Sequence, residues 1–140
     1  MVLIISDSHR LQSKVLELIE QYHPDRIFDL GDSEAEIEFL EQNNIVSVKG
    51  NCDFIHLPER RIINYKGINI LMTHGHLHYV RNGLLNLKYL AEENDCQYVF
   101  YGHTHIQKLE TMGGILFLNP GALISGHYAL MDDKGEITLY

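Results

Sequence analysis

Residues able to bind metals recur in this 140-residue chain just past its apolar runs. LIIS is followed by Asp7-Ser8-His9, RIFDL by Gly31-Asp32, and IVSVK by Gly50-Asn51-Cys52-Asp53. INILMT is followed by His74-Gly75-His76, and YVFY by Gly102-His103-Thr104-His105. A single histidine in such a place is most often a packed residue satisfied by a carbonyl. Repetition at strand after strand changes that reading, because ligands bind outside the carboxyl ends of strands in α/β sheets. Glycine beside four of the five groups lets the backbone turn sharply and come close. Imidazole, carboxylate and amide together suit divalent transition ions. The expected chemistry is therefore metal chemistry. A Ser–His–Asp triad on a nucleophile elbow needs GxSxG, which is missing, and a structural zinc site needs paired thiolates, whereas Cys52 and Cys96 stand apart.

The elements that must position these groups alternate in the first half. MVLIIS, RIFDL and IVSVKG read as strands. SKVLELIEQYH carries Val15, Leu16, Ile19 and Tyr22 at helical spacing and ends before Pro24, while Ser33 is expected to cap a helix over EAEIEFLEQN. RRIINYKGINILMTHG reads as a hairpin turning at Lys66-Gly67, then come a helix around LLNLKYLAEEN and the strand QYVFY. KLETMGGILFLN, HYALMDD and EITLY close the chain as short strands. The expected fold is α/β: two stacked mixed β-sheets flanked by helices, in one domain over residues 1–140.

Hydrophobic content of 45% and charged content of 21% argue against disorder. No apolar run reaches membrane-span length, and MVLIIS is too short and lacks the basic flank of a signal peptide, so a cytoplasmic protein with no membrane association is expected. Net charge is −8 and the one basic cluster is Arg60-Arg61, so duplex nucleic acid is not an expected partner. An acidic chain that takes a phosphate needs local positive charge, which bound cations supply. The expected partner is a small phosphate ester, and an oligomer is compatible with the sequence.

In order and type, Asp7-Ser8-His9, Gly31-Asp32, Gly50-Asn51 with Asp53, His74 and Gly102-His103-Thr104-His105 resemble the calcineurin-like metallophosphoesterases. Asn119-Pro120-Gly121 resembles a turn of the smallest members, the compact bacterial and archaeal phosphodiesterases. The resemblance implies two divalent ions, one held by Asp7, His9 and His105, the other by Asn51, His74 and His103, with Asp32 bridging. It implies hydrolysis of phosphodiester bonds by a hydroxide between the metals. Mn²⁺ is the expected ion; Fe²⁺, Co²⁺, Ni²⁺ and Zn²⁺ suit the same donors. The retromer small subunit, a protein-binding scaffold of this fold, is the alternative precedent.

Asp7 and His9, two apart on an extended segment, should point to one side, and so should His103 and His105 unless the backbone turns at Thr104. Departures from the family pattern direct the remaining assignments. Many relatives have histidine at Cys52, and a thiol beside two dications favours the thiolate, a poor proton donor. The general acid is therefore assigned to His76. Arg10, where many relatives have glycine, is assigned to clamp a phosphate oxygen; Ala122 replaces a serine of many relatives without an evident consequence. His23, His56, His78 and His127 fit no motif and read as packed or surface residues.

Overall fold

The computed structural model describes residues 1–140. Three parallel strands come first: β1 (Val2–Ile5), β2 (Arg26–Asp29) and β3 (Ile45–Ser47). They are joined by helices α1 (Gln12–Tyr22) and α2 (Ile37–Gln42). The hairpin β4 (Arg60–Tyr65) and β5 (Ile68–Thr73) follows, then α3 (Leu85–Glu93), β6 (Tyr98–Phe100), β7 (Lys108–Met112) and β8 (Ile115–Asn119). Finally β9 (Ala129–Met131) and β10 (Ile137–Leu139) return to the first sheet. The two stacked mixed sheets expected from the sequence are present, each five-stranded, with the orders β10-β9-β1-β2-β3 and β4-β5-β6-β8-β7. No helix is long and apolar enough to cross a membrane.

The apolar runs are continuous because the central strands are covered on both faces. Val2 and Ile4 of β1 point between the sheets, meeting Phe28, Met72, Phe100 and Leu118. Leu3 and Ile5 point outward under α1 and α2, against Val15, Leu18 and Leu40. On the second sheet, Leu71, Val99 and Phe117 pack outward against Leu87 and Ala91 of α3. Phe28 and Phe100 meet across the interior with ring centroids 6.5 Å apart. Strands β1, β2 and β3 run parallel in one sheet, and β5, β6 and β8 in the other, so their carboxyl ends converge on one edge of the sandwich.

Local departures from expectation have physical causes. Helix α1 stops at Tyr22, and His23 adopts the left-handed conformation (φ 46°) with its N–H returned to Ile19 O, ahead of Pro24. Helix α2 starts at Ile37, not at Glu34, and Ser33 does not cap it. The Asp53 carboxylate takes the N–H groups of Asp32 and Glu34, each at 2.9 Å, and those residues are left-handed (φ 59° and 55°). A right-handed helix cannot run through left-handed residues, so α2 starts only past Glu34. Two single turns of 3₁₀ helix, His76–His78 and Val80–Asn82, lie after β5 in a stretch without a periodic pattern. Phe100→Ala should cost roughly 3–5 kcal/mol, as for other large aromatic truncations in a closed core, read as a lowered urea midpoint with an unchanged slope.

Candidate metal centre

The edge where the strand ends converge is held together by bonds between the sheets. His74 Nδ1 donates to Leu30 O (2.7 Å), His103 N to Asp7 Oδ2 (3.2 Å), and Leu123 N to Ser6 O (2.8 Å). The loop after β1 continues alongside the loop after β2, with Asp7 N on Gly31 O and His9 N on Asp32 O. Asp7, Asp32 and His74 are buried there, while His105 is 45% exposed.

Two groups of donor atoms result. His105 Nε2 lies 3.1 Å and His9 Nε2 3.7 Å from Asp7 Oδ1, and the two imidazole nitrogens are 3.5 Å apart. His74 Nε2 lies 3.1 Å from Asp32 Oδ2 and 3.0 Å from Asn51 Oδ1, which is also 3.1 Å from His103 Nδ1. Asp32 belongs to both neighbourhoods: its carboxylate clusters with Asp7 and His74 on one side and with His9 and Cys52 on the other. All seven residues expected as ligands are thus brought together.

The donor set fits a cation for a reason visible at His74. Its Nδ1 must carry the hydrogen given to Leu30 O, so a neutral ring presents a lone pair at Nε2. That lone pair faces Asp32 Oδ2 and Asn51 Oδ1, both acceptors. Only a proton or a metal ion between them relieves the repulsion. Burial works against protonation of His74, yet the Asp32 carboxylate and then Asp7 raise its pKa above the ordinary 6.5. Burial likewise opposes ionisation of Asp32, but its hydrogen bond and charge interaction with His74 bring it down to about 2.

The backbone reaches this arrangement through strain. Asp7, His9, Asp32, His103 and His105 are all left-handed, with φ of 53°, 44°, 59°, 69° and 63°, a costly conformation for residues with side chains. This corrects the expectation of extended segments. The turn at Thr104 makes the two histidines diverge, His103 toward Asn51 and His105 toward Asp7. Glycine supplies the close approach: a Cβ on Gly50 would overlap Asp32 Oδ1 and N, and one on Gly31 would sit 2.9 Å from His74 Nδ1.

The two other assigned residues sit at the rim. Arg10 is 72% exposed and its Nη2 bonds Glu34 Oε1 (3.2 Å). The His76 ring lies 5.4 Å from that of His74 and 6.1 Å from that of His103, and its buried Nδ1 has no partner. Burial, then the charge of His74, hold His76 below the usual histidine pKa. Among the protein's own groups, burial and then the Asp32 carboxylate push the Cys52 thiol up.

Several contributors were not legible in the sequence. Glu34 Oε2 holds His9 Nδ1 at 3.1 Å, fixing that ring as outer carboxylates fix metal-binding histidines. Arg81 donates from Nε to His103 Nε2 and from Nη2 to His103 O, both 3.3 Å. Asp53 also accepts from Gly50 N (2.7 Å), so one carboxylate clamps two ligand loops. Ser6 Oγ donates to Asp7 Oδ2 at 2.5 Å. Of these, only Asp53 stood inside a recognisable motif.

Comparison with known proteins agrees with this geometry. The calcineurin-like phosphoesterase superfamily domain matches residues 1–133. The probable metallophosphoesterase YsnB of Bacillus subtilis is 38% identical over 125 residues, covering 87% of this chain and 74% of that one. Phosphodiesterase YfcE of Escherichia coli K12 is 33% identical over 91 residues, 58% of this chain and 45% of its own. The crystal structure of a predicted phosphoesterase from Streptococcus pneumoniae superposes with a TM-score of 0.84 at 29% identity, covering 99% of this chain and 95% of that one.

The ionisation of the centre gives a pH signature. His74, raised in the folded chain, contributes stability that is complete below 6.5 and lost as pH rises through its folded value. Buried Asp29, pushed up to about 7 by its burial against the opposing hydrogen bond from Ser47, also loses its contribution as pH rises from 3.8 toward 7. Asp32 acts oppositely, its contribution disappearing only as pH falls from 3.8 toward 2. Protein stripped with chelator should therefore melt at a lower temperature at pH 8.5 than at pH 6, and added Mn²⁺ should restore stability chiefly at the higher pH. Gly50→Ala should displace Asp32 and lower metal affinity by at least about tenfold, as for other lost supports of a metal ligand, measured by competition with a chromogenic chelator.

Proposed function

This chain belongs to the calcineurin-like phosphoesterase superfamily, and on that premise we propose that it is a phosphodiesterase working with two divalent ions, with Mn²⁺ the expected metal. The observation that carries this reading is the division of the seven donors into two groups that share Asp32. Asp7, His9 and His105 would hold one ion and Asn51, His74 and His103 the other, with the Asp32 carboxylate between them. When bound, such ions acidify a water and draw charge from the phosphoryl oxygens.

The chain's own residues do the rest. Asp7 and Asp32 contribute −2 against the +4 of two divalent ions, so the centre is locally positive and attracts a phosphoester into an acidic protein. Glu34 keeps His9 in orientation, and Leu30 O keeps the His74 lone pair directed at the centre. Arg10, tethered to Glu34, reaches a non-bridging phosphate oxygen from the rim. As water attacks phosphorus and the ester P–O bond breaks, His76 hands a proton to the departing alkoxide. Beside two bound dications Cys52 would favour the thiolate and so takes no part in that transfer.

Diesters are the preferred substrates. A monoester dianion needs more cationic contacts and, for a poor leaving group, a stronger proton donor than this rim supplies. A diester monoanion still offers two non-bridging oxygens. The intact donor set argues against a scaffold without turnover, because a scaffold needs no such convergence of acceptors. The substrates expected are small or accessible phosphate esters.

Hydrolysis after chelation and re-addition of single metals tests the reading. Bis(p-nitrophenyl) phosphate should be turned over with a higher kcat/KM than p-nitrophenyl phosphate; the reverse order would overturn the diester assignment. No rate with any metal would leave the scaffold reading standing. Asp32→Asn should lower occupancy of both ions together, whereas His105→Ala should release mainly one, as counted by metal analysis. His76→Ala should slow esters of poorly leaving alcohols by roughly 10²-fold and nitrophenyl esters far less. That disparity should widen as pH falls toward the lowered pKa of His76.

A further inference from the structure

Beside the metal centre lies a cavity of about 320 Å³, within the range of small-molecule sites. It opens between the 3₁₀ turn at Val80–Asn82 and the chain running from Thr104 into β7. Arg81 lines it while donating to His103, and Thr104 lines it between His103 and His105, so one end adjoins the ligands of the centre. None of the elements that built the metal site needs this space.

The walls are of two kinds. Val80 and Leu84, both buried, and Ile106, 66% exposed, give an apolar side. Ile106, one position past His105, leaves a large aliphatic side chain open to this space. Lys108 and Glu110, two apart on β7 and so on one face, give the polar side. With Arg81, the lining carries two cations against one acid, a net +1 in a chain of −8. Lys108 is held only by Glu110 at 3.4 Å and remains 56% exposed.

A further polar group faces this space without a partner. Tyr101 is 4% exposed and lines the cavity, yet its hydroxyl makes no hydrogen bond in the fold. Burial, then Glu110, push its pKa up to about 12, so the group is a donor at neutral pH.

We propose that this cavity binds one alcohol arm of the phosphoester, an arm bearing a ring and a second anionic group, as in a nucleotide. The ring lies against Ile106 and Leu84, the second anion meets Lys108, and the Tyr101 hydroxyl donates to a polar atom of the arm. Arg81 stands between the arm and the phosphate under attack. This inference rests on the phosphoesterase reading for what occupies the metal end, and it adds the identity of the arm. An open metal edge would otherwise treat all small diesters alike; this cavity makes it selective.

Binding of product-like probes to the full chain tests this without requiring turnover. Thymidine 3′,5′-bisphosphate, thymidine 5′-monophosphate and inorganic phosphate are titrated calorimetrically and by amide shifts, in chelator and again with Zn²⁺, which is diamagnetic. The bisphosphate should bind about tenfold more tightly than the monophosphate, the scale of one charge-assisted contact, with shifts at Ile106 and Lys108. Lys108→Gln should abolish that margin, and Ile106→Ser should weaken both nucleotides but not inorganic phosphate. Both side chains are exposed, so the variants should fold, which their melting curves check. Lys134→Gln, on the β9–β10 turn, should keep the margin.

Equal affinities in the unaltered protein, a margin surviving Lys108→Gln, or shifts confined to the Asp32 and Asn51 loops would each overturn the proposal. A protein that binds the bisphosphate in this way yet hydrolyses no ester would sink the phosphodiesterase reading alone. Fast diester hydrolysis with no nucleotide preference in binding would sink the arm site alone.

Discussion

The hydrogen bond from His74 Nδ1 to Leu30 O is the constraint on which the site turns. It crosses from the second sheet to the first at the level of the ligands, so sandwich and site are fixed by one contact. It also settles the tautomer. With Nδ1 committed as donor, Nε2 faces Asp32 and Asn51 as one acceptor among acceptors. Such an arrangement is unfavourable unless a positive charge enters it, because unpaired buried acceptors cost free energy and like partial charges repel. Folding therefore prepares the electrostatic demand that a cation meets.

Holding that demand in place requires rigidity around it. Asp53 does much of this by accepting from the amides of Asp32, Glu34 and Gly50, which joins the loops after β2 and β3. Five of the candidate ligands sit in left-handed conformations that no strand or helix would impose. Strain of this kind persists where surrounding bonds over-determine the backbone. Here they do: Asp7 N, His9 N and His103 N are all bonded to neighbouring loops or to a carboxylate. Glycines 31 and 50 let the loop backbones come within reach of the ligands, which any side chain there would prevent.

Charge is distributed to match. The chain is acidic overall, and its cations near the site are few but specifically tied: Arg10 to Glu34, Arg81 to His103, Lys108 to Glu110. Each lies at the rim, where it can meet an anion without being buried with its partner. Selectivity, as proposed, would come from where these rim cations stand relative to the apolar wall at Ile106 and Leu84. On the proposed reading, bound metals would attract any phosphoester and the rim would discriminate among them.

The sequence alone determined the strands, the α/β class and the seven candidate ligands. Continuous apolar runs such as VLII and ILMT require burial on both faces, and the histidines and carboxylates past their ends share a chemistry that chance does not produce. The start of α2 was not legible there, because Asp32 and Glu34, bonded to Asp53 some twenty residues on, are left-handed, and the helix begins only past them. Glu34 on His9 and Arg81 on His103 were hidden for the same reason: a hydrogen bond between residues 25 or 22 positions apart leaves no periodic trace. Sequence spacing suggested that Asp7 with His9, and His103 with His105, would point together along extended chain. Tertiary structure made all four residues left-handed instead: Asp7 and His9 still meet on one side, while the turn at Thr104 sends His103 and His105 to opposite groups. Residue type is written in the sequence, but the direction of a side chain depends on backbone dihedrals that distant partners impose.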